Sequence, residues 1–338
     1  MSNIYYLIPD LFKPKVDIVT FLRYVKRGDF KGYINNSLLP KHKPVGGIKV
    51  MYQHCLILNE LGFNAQPVLM GKYKGNFFGY NLDFISCKRL REILKEDDVL
   101  VSTEFHPYDG LAFDKGTKVM FMQNWLNLDR RFLPKDAGKT YADIGYNEVI
   151  TCGQFCSDMV KKKMQMNATT ITNGIDQVKF KAKKELRIEY RILALSRKNL
   201  ADLHEIMDKL GELACHVHIV DGLTQDELIL EYQKSDIFLA TGYPEGLPLP
   251  PLEAMNCGCV VVGFTGGGAK EYMIDGETAL VAKDGDCDTA VKHIKRVLED
   301  VELKEKLRRN GMRLGKTYTL DNTKSAISDF FSPLINNL

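Results

Sequence analysis

The eight cysteines include no CxxC pair; the closest spacings are Cys152/Cys156 and Cys257/Cys259. Structural zinc sites favour tighter, repeated spacings, so a zinc-binding module is not expected and the thiols read as reduced and mostly buried. No apolar run approaches membrane-spanning length. The opening "MSNIYYLIPDLFKP" lacks a basic region followed by an apolar stretch, so it does not read as a signal peptide. A cytoplasmic protein is the expectation. Charge of one sign is also missing: the formal net charge is +3. That is too mild for a phosphate-backbone binder, and no aromatic-plus-basic motif accompanies it, so nucleic acid is not an expected partner. There is no low-complexity segment and no short repeat.

What the chain has is length and alternation. Its 338 residues suggest two domains, and 45% hydrophobic with 26% charged residues is ordinary globular composition. "NIYYLI" reads as a strand. "GGIKVMYQHCLILNELG" reads as a helix, with apolar residues at helical spacing and Gly62 to end it. "NAQPVLM", "DDVLVS", "KVMFMQ" and "NEVITC" are short apolar runs of the buried-strand kind. "QFCSDMVKKKM" is a helix whose three lysines suit its C-terminus, and "ATTIT" is a short strand. The turn signal "NGID", residues 173–176, marks the expected boundary between domains.

The second half repeats the pattern. "RILALS", "CHVHIV", "DIFLAT" and "GCVVVGF" are strands. "LADLHEIMDKLGEL", "TQDELILEYQKS", "PPLEAMNC" and "GAKEYMID" are helices, and "DCDTAVKHIKRVLEDVELKEKLRRNGMRLGKTY" and "LDNTKSAISDFFSPLI" are helical. Strands alternating with helices imply parallel sheets covered on both faces, hence two doubly wound α/β domains.

The chemistry concentrates in "YPEGLPLPPLEAMNCGCVVVGFTGGGAKEYM", residues 243–273. Ligands of open α/β sheets bind outside the carboxyl ends of the strands, and the loop after "DIFLAT" lies at such an edge. Glu245 is in that loop. Glu253 is expected in the first turn of the next helix, where a carboxylate suits the dipole and also suits a ribose diol. Gly266, Gly267 and Gly268 join a strand to a helix, a place where backbone N–H groups can close on phosphate or sugar hydroxyls. Arg197 and Lys198 follow "RILALS" directly, where cations would meet a leaving diphosphate. Surface ion pairing, helix capping and ordinary turn geometry are the competing structural readings of each residue taken alone.

Together, "EGLPLPPLEAM", "SRK", "NGID", the glycine pair before the first long helix and "GGGAKEYMIDGETALV" resemble the retaining glycosyltransferases of family 4, with the GT-B fold. The resemblance implies two Rossmann-like domains facing a central cleft: 1–173, joined by a C-terminal helix at about 318–338 that crosses back, and 174–317, which holds the nucleotide-sugar. It implies Glu253 at the ribose, Glu245 at the donor sugar, and Arg197 with Lys198 at the diphosphate. Gly46, Gly47, Gly246, Leu247, Gly267, Gly268 and Glu271 match other donor-binding positions. Where many members carry a histidine in the first domain, this chain has Gln123 and Asn124, and His106 stands at an earlier strand end. Pro248 replaces a common glycine, and Arg197 and Lys198 adjoin without the usual spacer.

The implied activity is retaining transfer of a sugar from a nucleoside diphosphate donor, UDP by default, to a hydroxyl of a glycan, lipid-linked or other acceptor. No DxD stands at a suitable strand end, so no metal or other cofactor is expected. A sugar-nucleotide epimerase or phosphorylase on a related fold, and a non-catalytic nucleotide-sugar binder, remain open alternatives. "PKHKP" (40–44) and "VDIVTFLRYVKRGDF" (16–30) are the places where a charged acceptor or a membrane surface would make contact; a solvated loop and packing on the first domain are the simpler readings.

Overall fold

A computed structural model describes residues 2–9, 21, 25, 46–71 and 80–336. "PKHKP", and all of "VDIVTFLRYVKRGDF" except Phe21 and Val25, lie outside the described residues. The strands are β1 (Asn3–Ile8), β2 (Asn64–Leu69), β3 (Ile85–Ser86), β4 (Val99–Thr103), β5 (Thr117–Met122), β6 (Glu148–Thr151), β7 (Thr169–Thr170), β8 (Ile192–Leu195), β9 (Val217–Val220), β10 (Ile237–Ala240), β11 (Val260–Phe264) and β12 (Ala279–Ala282). The α-helices are α1 (Gly46–Glu60), α2 (Cys87–Ile93), α3 (Tyr141–Ile144), α4 (Gln154–Met164), α5 (Leu200–Leu210), α6 (Gln225–Lys234), α7 (Leu249–Asn256), α8 (Cys287–Glu299), α9 (Val301–Gly315) and α10 (Leu320–Asn336).

Two sheets result. One has seven strands in the order β3-β2-β1-β4-β5-β6-β7, the other five in the order β12-β11-β10-β8-β9. Every pairing in the second sheet is parallel. In the first, β1–β2, β1–β4, β2–β3 and β6–β7 are parallel. The chain passes from one sheet to the other between Thr170 and Ile192. By compactness it divides into two units: 1–120, 145–148 and 331–338 in the first, 121–144 and 149–330 in the second.

Continuous apolar runs make the central strands. Each residue of "IFLA" in β10 and "VVVGF" in β11 is buried, as a parallel sheet covered on both faces requires. Ile192, Leu239 and Val262 from the sheet pack with Leu203 of α5 and Ile294 of α8. The helices start on recognisable caps. Thr224 and Glu227 form a reciprocal capping box on α6, while Asp286 and Asp300 accept from the first turns of α8 and α9. The three lysines of α4 stand in its last turn.

One buried ion cluster ties α9 to the sheet. Asp236, 2% exposed, accepts from Arg308 Nη2 at 2.6 Å and Lys304 Nζ at 3.3 Å. Burial pushes the Asp236 carboxyl up, but the two cations more than offset it and hold it below its ordinary range. In the first unit, Tyr6 hydroxyl meets His54 Nδ1 at 3.0 Å, and Phe331 of α10 lies 6.5 Å from the Tyr6 ring. Burial depresses His54 to about 3, so the imidazole is neutral.

Two expected elements differ. "GAKEYMID" forms only a 3-10 turn over Gly268–Glu271. Thr278 Oγ1 accepts from Ile274 N and donates to Tyr272 O, which draws the chain into a turn ending at Gly276, φ +71°. Helix α7 begins at Leu249, with Pro250 and Pro251 in its first turn, so Glu253 stands in the second turn and not the first. The dipole explanation for Glu253 weakens accordingly, because the effect fades beyond the first turn.

Candidate functional site

The order of the second sheet reverses at β8, which lies between β10 and β9. Such a switch point leaves a crevice at the carboxyl ends of the strands. A pocket sits there, lined on its polar side by Arg197, Lys198, Thr241 and Glu245, and on its apolar side by Leu195, Phe238, Phe264 and the prolines 248, 250 and 251. Lys198 Nζ lies 2.7 Å from Glu245 Oε1 and donates to Pro244 O at 3.0 Å. Arg197 is exposed and makes no ion pair among the described residues.

The loop carrying Glu245 is held from α5. Asn199, in the left-handed region at φ +51°, accepts from Tyr243 N at 3.1 Å, and Tyr243 hydroxyl donates to Asp202 at 2.6 Å. That hydrogen bond, with burial, pushes the Tyr243 phenol to about 12, so it remains a donor at neutral pH. Tyr243 also packs edge-on against Phe264 at 5.6 Å. Glu253 is 6% exposed and accepts from Tyr232 hydroxyl at 3.2 Å. Burial, followed by the neighbouring carboxylate, keeps the Tyr232 phenol well above its ordinary range and thus protonated. Sequence reasoning did not single out Tyr232, Tyr243 or Asp202; each acts on a glutamate or its loop from elsewhere in the chain.

The glycine run works differently from expectation. Gly266 N donates to Asp284 Oδ1 at 3.0 Å, Gly267 N to Thr265 Oγ1 at 3.4 Å, and Gly268 N to Glu245 O at 3.2 Å. All three donors are committed within the protein. The glycines are there for shape. Gly267 has φ +97°, and a Cβ on it would stand 2.7 Å from the Phe155 ring and 2.8 Å from Trp125 Nε1. A Cβ on Gly268 would overlap the Gly246 carbonyl, and one on Gly246 would overlap the Gln123 carbonyl.

Gln123 and Asn124 therefore border the loop that carries Glu245. Asn124 Nδ2 donates to Pro244 O at 3.3 Å, while its Oδ1 caps the 3-10 turn Trp125–Asn127. Glu271 reaches α4, where its carboxylate accepts from Phe155 N at 2.6 Å at a helix start whose cap, Gly153, has no side chain to offer. Gly46 and Gly47 are the first residues of α1. His106 lies in the turn after β4, Nδ1 4.0 Å from Asp109. These last three belong to the first unit. All eight cysteines are free, and Cys152 and Cys156 face each other at 3.9 Å. Among the described residues, no group of three His, Cys, Asp or Glu could hold a metal ion, and no helix is long and apolar enough to cross a membrane.

Residues 175–313 match the family model described as glycosyl transferases group 1. A stretch of 108 residues is 32% identical to the GDP-mannose-dependent alpha-(1-6)-phosphatidylinositol monomannoside mannosyltransferase of Mycolicibacterium smegmatis. It spans 30% of this chain and 28% of that relative. Among solved structures, sucrose-phosphate synthase of Thermosynechococcus elongatus matches with TM-score 0.71 at 13% identity, covering 100% of both chains. Anabaena HepE, solved with UDP-glucose, matches with TM-score 0.72 at 14% identity, covering 98% of this chain and 100% of that one. Identities this low speak to the fold, which is GT-B.

Proposed function

We propose that this protein transfers a sugar from a nucleoside diphosphate sugar, UDP-linked by default, to a hydroxyl acceptor, with retention at the anomeric carbon. The observation that carries the reading is the Lys198–Glu245 pair, 2.7 Å apart at the mouth of a pocket on the switch point of the sheet. On this reading residues 174–317 hold the donor and 1–173, with the last helix, serve the acceptor. Glu253, oriented by Tyr232, accepts from the ribose. Arg197 and Lys198 meet the diphosphate, joined by the N–H groups of Gly246 and Leu247, which have no acceptor among the described residues. Glu245 meets the hydroxyls of the donor sugar.

The chemistry then needs charge stabilisation and positioning, not a protein nucleophile. The acceptor oxygen bonds to the anomeric carbon as the bond to the diphosphate breaks. Its proton passes to an oxygen of the leaving phosphate. The matched mannosyltransferase takes GDP-mannose by its name, whereas HepE was solved with UDP-glucose, so the base is for experiment to decide. The test is a thermal-shift panel of UDP, GDP, ADP, CMP and dTDP on the wild type and Glu253→Ala. A nucleotide at about 100 times its dissociation constant adds about 2.7 kcal/mol of stability. One nucleotide should raise the melting point of the wild type and not of the variant. A panel with no shift at all sinks the reading.

A further inference from the structure

We propose that Trp125, Phe155, Lys163 and Lys270 form an acceptor subsite for a saccharide that carries an anionic group, phosphate or carboxylate. The proposal rests on the transfer reading above and narrows its acceptor.

Trp125 opens the 3-10 turn after β5, and its indole Nε1 donates to Gly266 O at 3.2 Å. The same oxygen accepts from Glu245 N at 2.8 Å. The indole is thus fixed one carbonyl away from the residue assigned to the donor sugar. Phe155, at the start of α4, meets Trp125 edge-on, with ring centroids 6.1 Å apart. Both rings are half-buried, with the Gly267 backbone against them. A partly exposed aromatic pair beside the reacting sugar is a surface on which the C–H face of a pyranose can lie.

Two cations frame these rings. Lys163, two turns along α4 from Phe155, reaches back to place Nζ 5.9 Å from the Trp125 centroid. Lys270 Nζ lies 6.0 Å from the Phe155 centroid. Both side chains are exposed, and neither has an acidic partner within ion-pair distance among the described residues. The nearby acids are engaged elsewhere: Glu271 on Phe155 N, Asp158 on Gln154, Asp284 on Gly266 N. A cation over a ring at an exposed site is held more weakly than a charge-assisted hydrogen bond holds an anion. Each ammonium can therefore turn from its ring to a ligand phosphate or carboxylate. The donor diphosphate has its own cations in Arg197 and Lys198, which leaves this pair for a second anion.

Trp125 is the chain's one tryptophan, so its emission reports on this subsite directly. The experiment titrates, with the nucleotide that raises the melting point saturating, neutral glucose, mannose, galactose and N-acetylglucosamine, then their 6-phosphates and glucuronate and galacturonate, and inorganic phosphate alone. At least one anionic sugar should change the emission at a half-saturating concentration more than about tenfold below its neutral parent, as expected of one charge-assisted hydrogen bond. Whether the 6-phosphates or the uronates win tells phosphate from carboxylate. Lys163→Gln with Lys270→Gln should abolish the preference, and Lys→Arg at both positions should restore it. Equal responses to charged and neutral sugars, a preference that survives the Gln changes, or inorganic phosphate acting as well as any sugar phosphate overturns the proposal. Melting shifts with the nucleotide panel, run in parallel, separate the two failures. No shift with any nucleotide and no emission change sink the transfer reading and this inference together; a nucleotide shift with silent emission sinks this inference alone.

Discussion

The loop after β10 and the turn after β5 converge on the same Gly266 carbonyl, one through Glu245 N and the other through the Trp125 indole, yet they offer opposite chemistries. The β10 side presents a paired lysine and glutamate above an apolar floor. The β5 side presents aromatic rings and amides, with Asn124 bound to its own turn and to Pro244. A charged, preorganised edge suits a diphosphate whose leaving charge must be stabilised. A ring-lined edge suits a sugar that has only to be positioned. Glycine makes the convergence possible, since no side chain fits where the two edges touch.

Filling that space is the strongest way to break the comparison. In Gly246→Ala the new Cβ overlaps the Gln123 carbonyl, a backbone atom that cannot swing aside. Overpacking of this kind costs about 1–3 kcal/mol, and we expect the upper end. Gly242→Ala is the control: its Cβ would stand 3.6 Å from Glu245 Oε1, an ordinary contact, and the change should stay within about 0.5 kcal/mol. Urea denaturation of both variants measures the difference. Two equally mild results would mean that the edges do not meet as described.

The next effect falls on rate. Lys198→Met removes the ammonium but keeps much of the stem, and should lower kcat/KM by about a hundredfold, or about 2.7 kcal/mol, with the melting temperature nearly unchanged. Trp125→Phe on the other edge should instead raise KM for the acceptor with kcat nearly preserved. If Lys198→Met also acts only through KM, the charged edge binds ground state and transition state alike.

How much of this was readable beforehand depends on sequence distance. Four of the five strands of the second sheet were plain because buried parallel strands are continuous apolar runs, and "IFLA" and "VVVGF" fall where expected, whereas the four-residue β12 was not singled out. Glu245, Glu253, Arg197 and Lys198 were visible because local motifs and strand ends point to them. The two-residue strand β3 and the helix α2 that follows it passed unnoticed, since neither is long enough to show a period. The partners that orient the site were also hidden. Tyr232 lies 21 residues from Glu253 and Asp202 41 from Tyr243, and nothing in either neighbourhood announces the contact. The glycine run was legible as a turn but misread as a cradle of free donors, because only the fold shows that Asp284, Thr265 and Glu245 already accept from it.

The smallest effect sharpens the comparison at the place where the glycine turn holds α4. Glu271 is subject to two opposed forces: burial raises its pKa, and the N–H groups of Phe155 and Gln154 lower it. Burial is the larger, so the folded carboxyl titrates above its ordinary 4.5. The folded state then holds this proton over a window where the unfolded chain has released it. Stability must fall as pH rises from the unfolded value through the folded one, and level off above. Glu271→Gln cannot ionise and keeps an oxygen for Phe155 N. Its stability relative to wild type should therefore increase as pH rises from the ordinary 4.5 through the folded value and then stay constant, as read from urea midpoints at each pH. A difference that runs the other way would show that the start of α4 binds the carboxylate more strongly than burial disfavours it, making the charge of Glu271 a net tie between the glycine turn and the helix that carries Phe155 and Lys163.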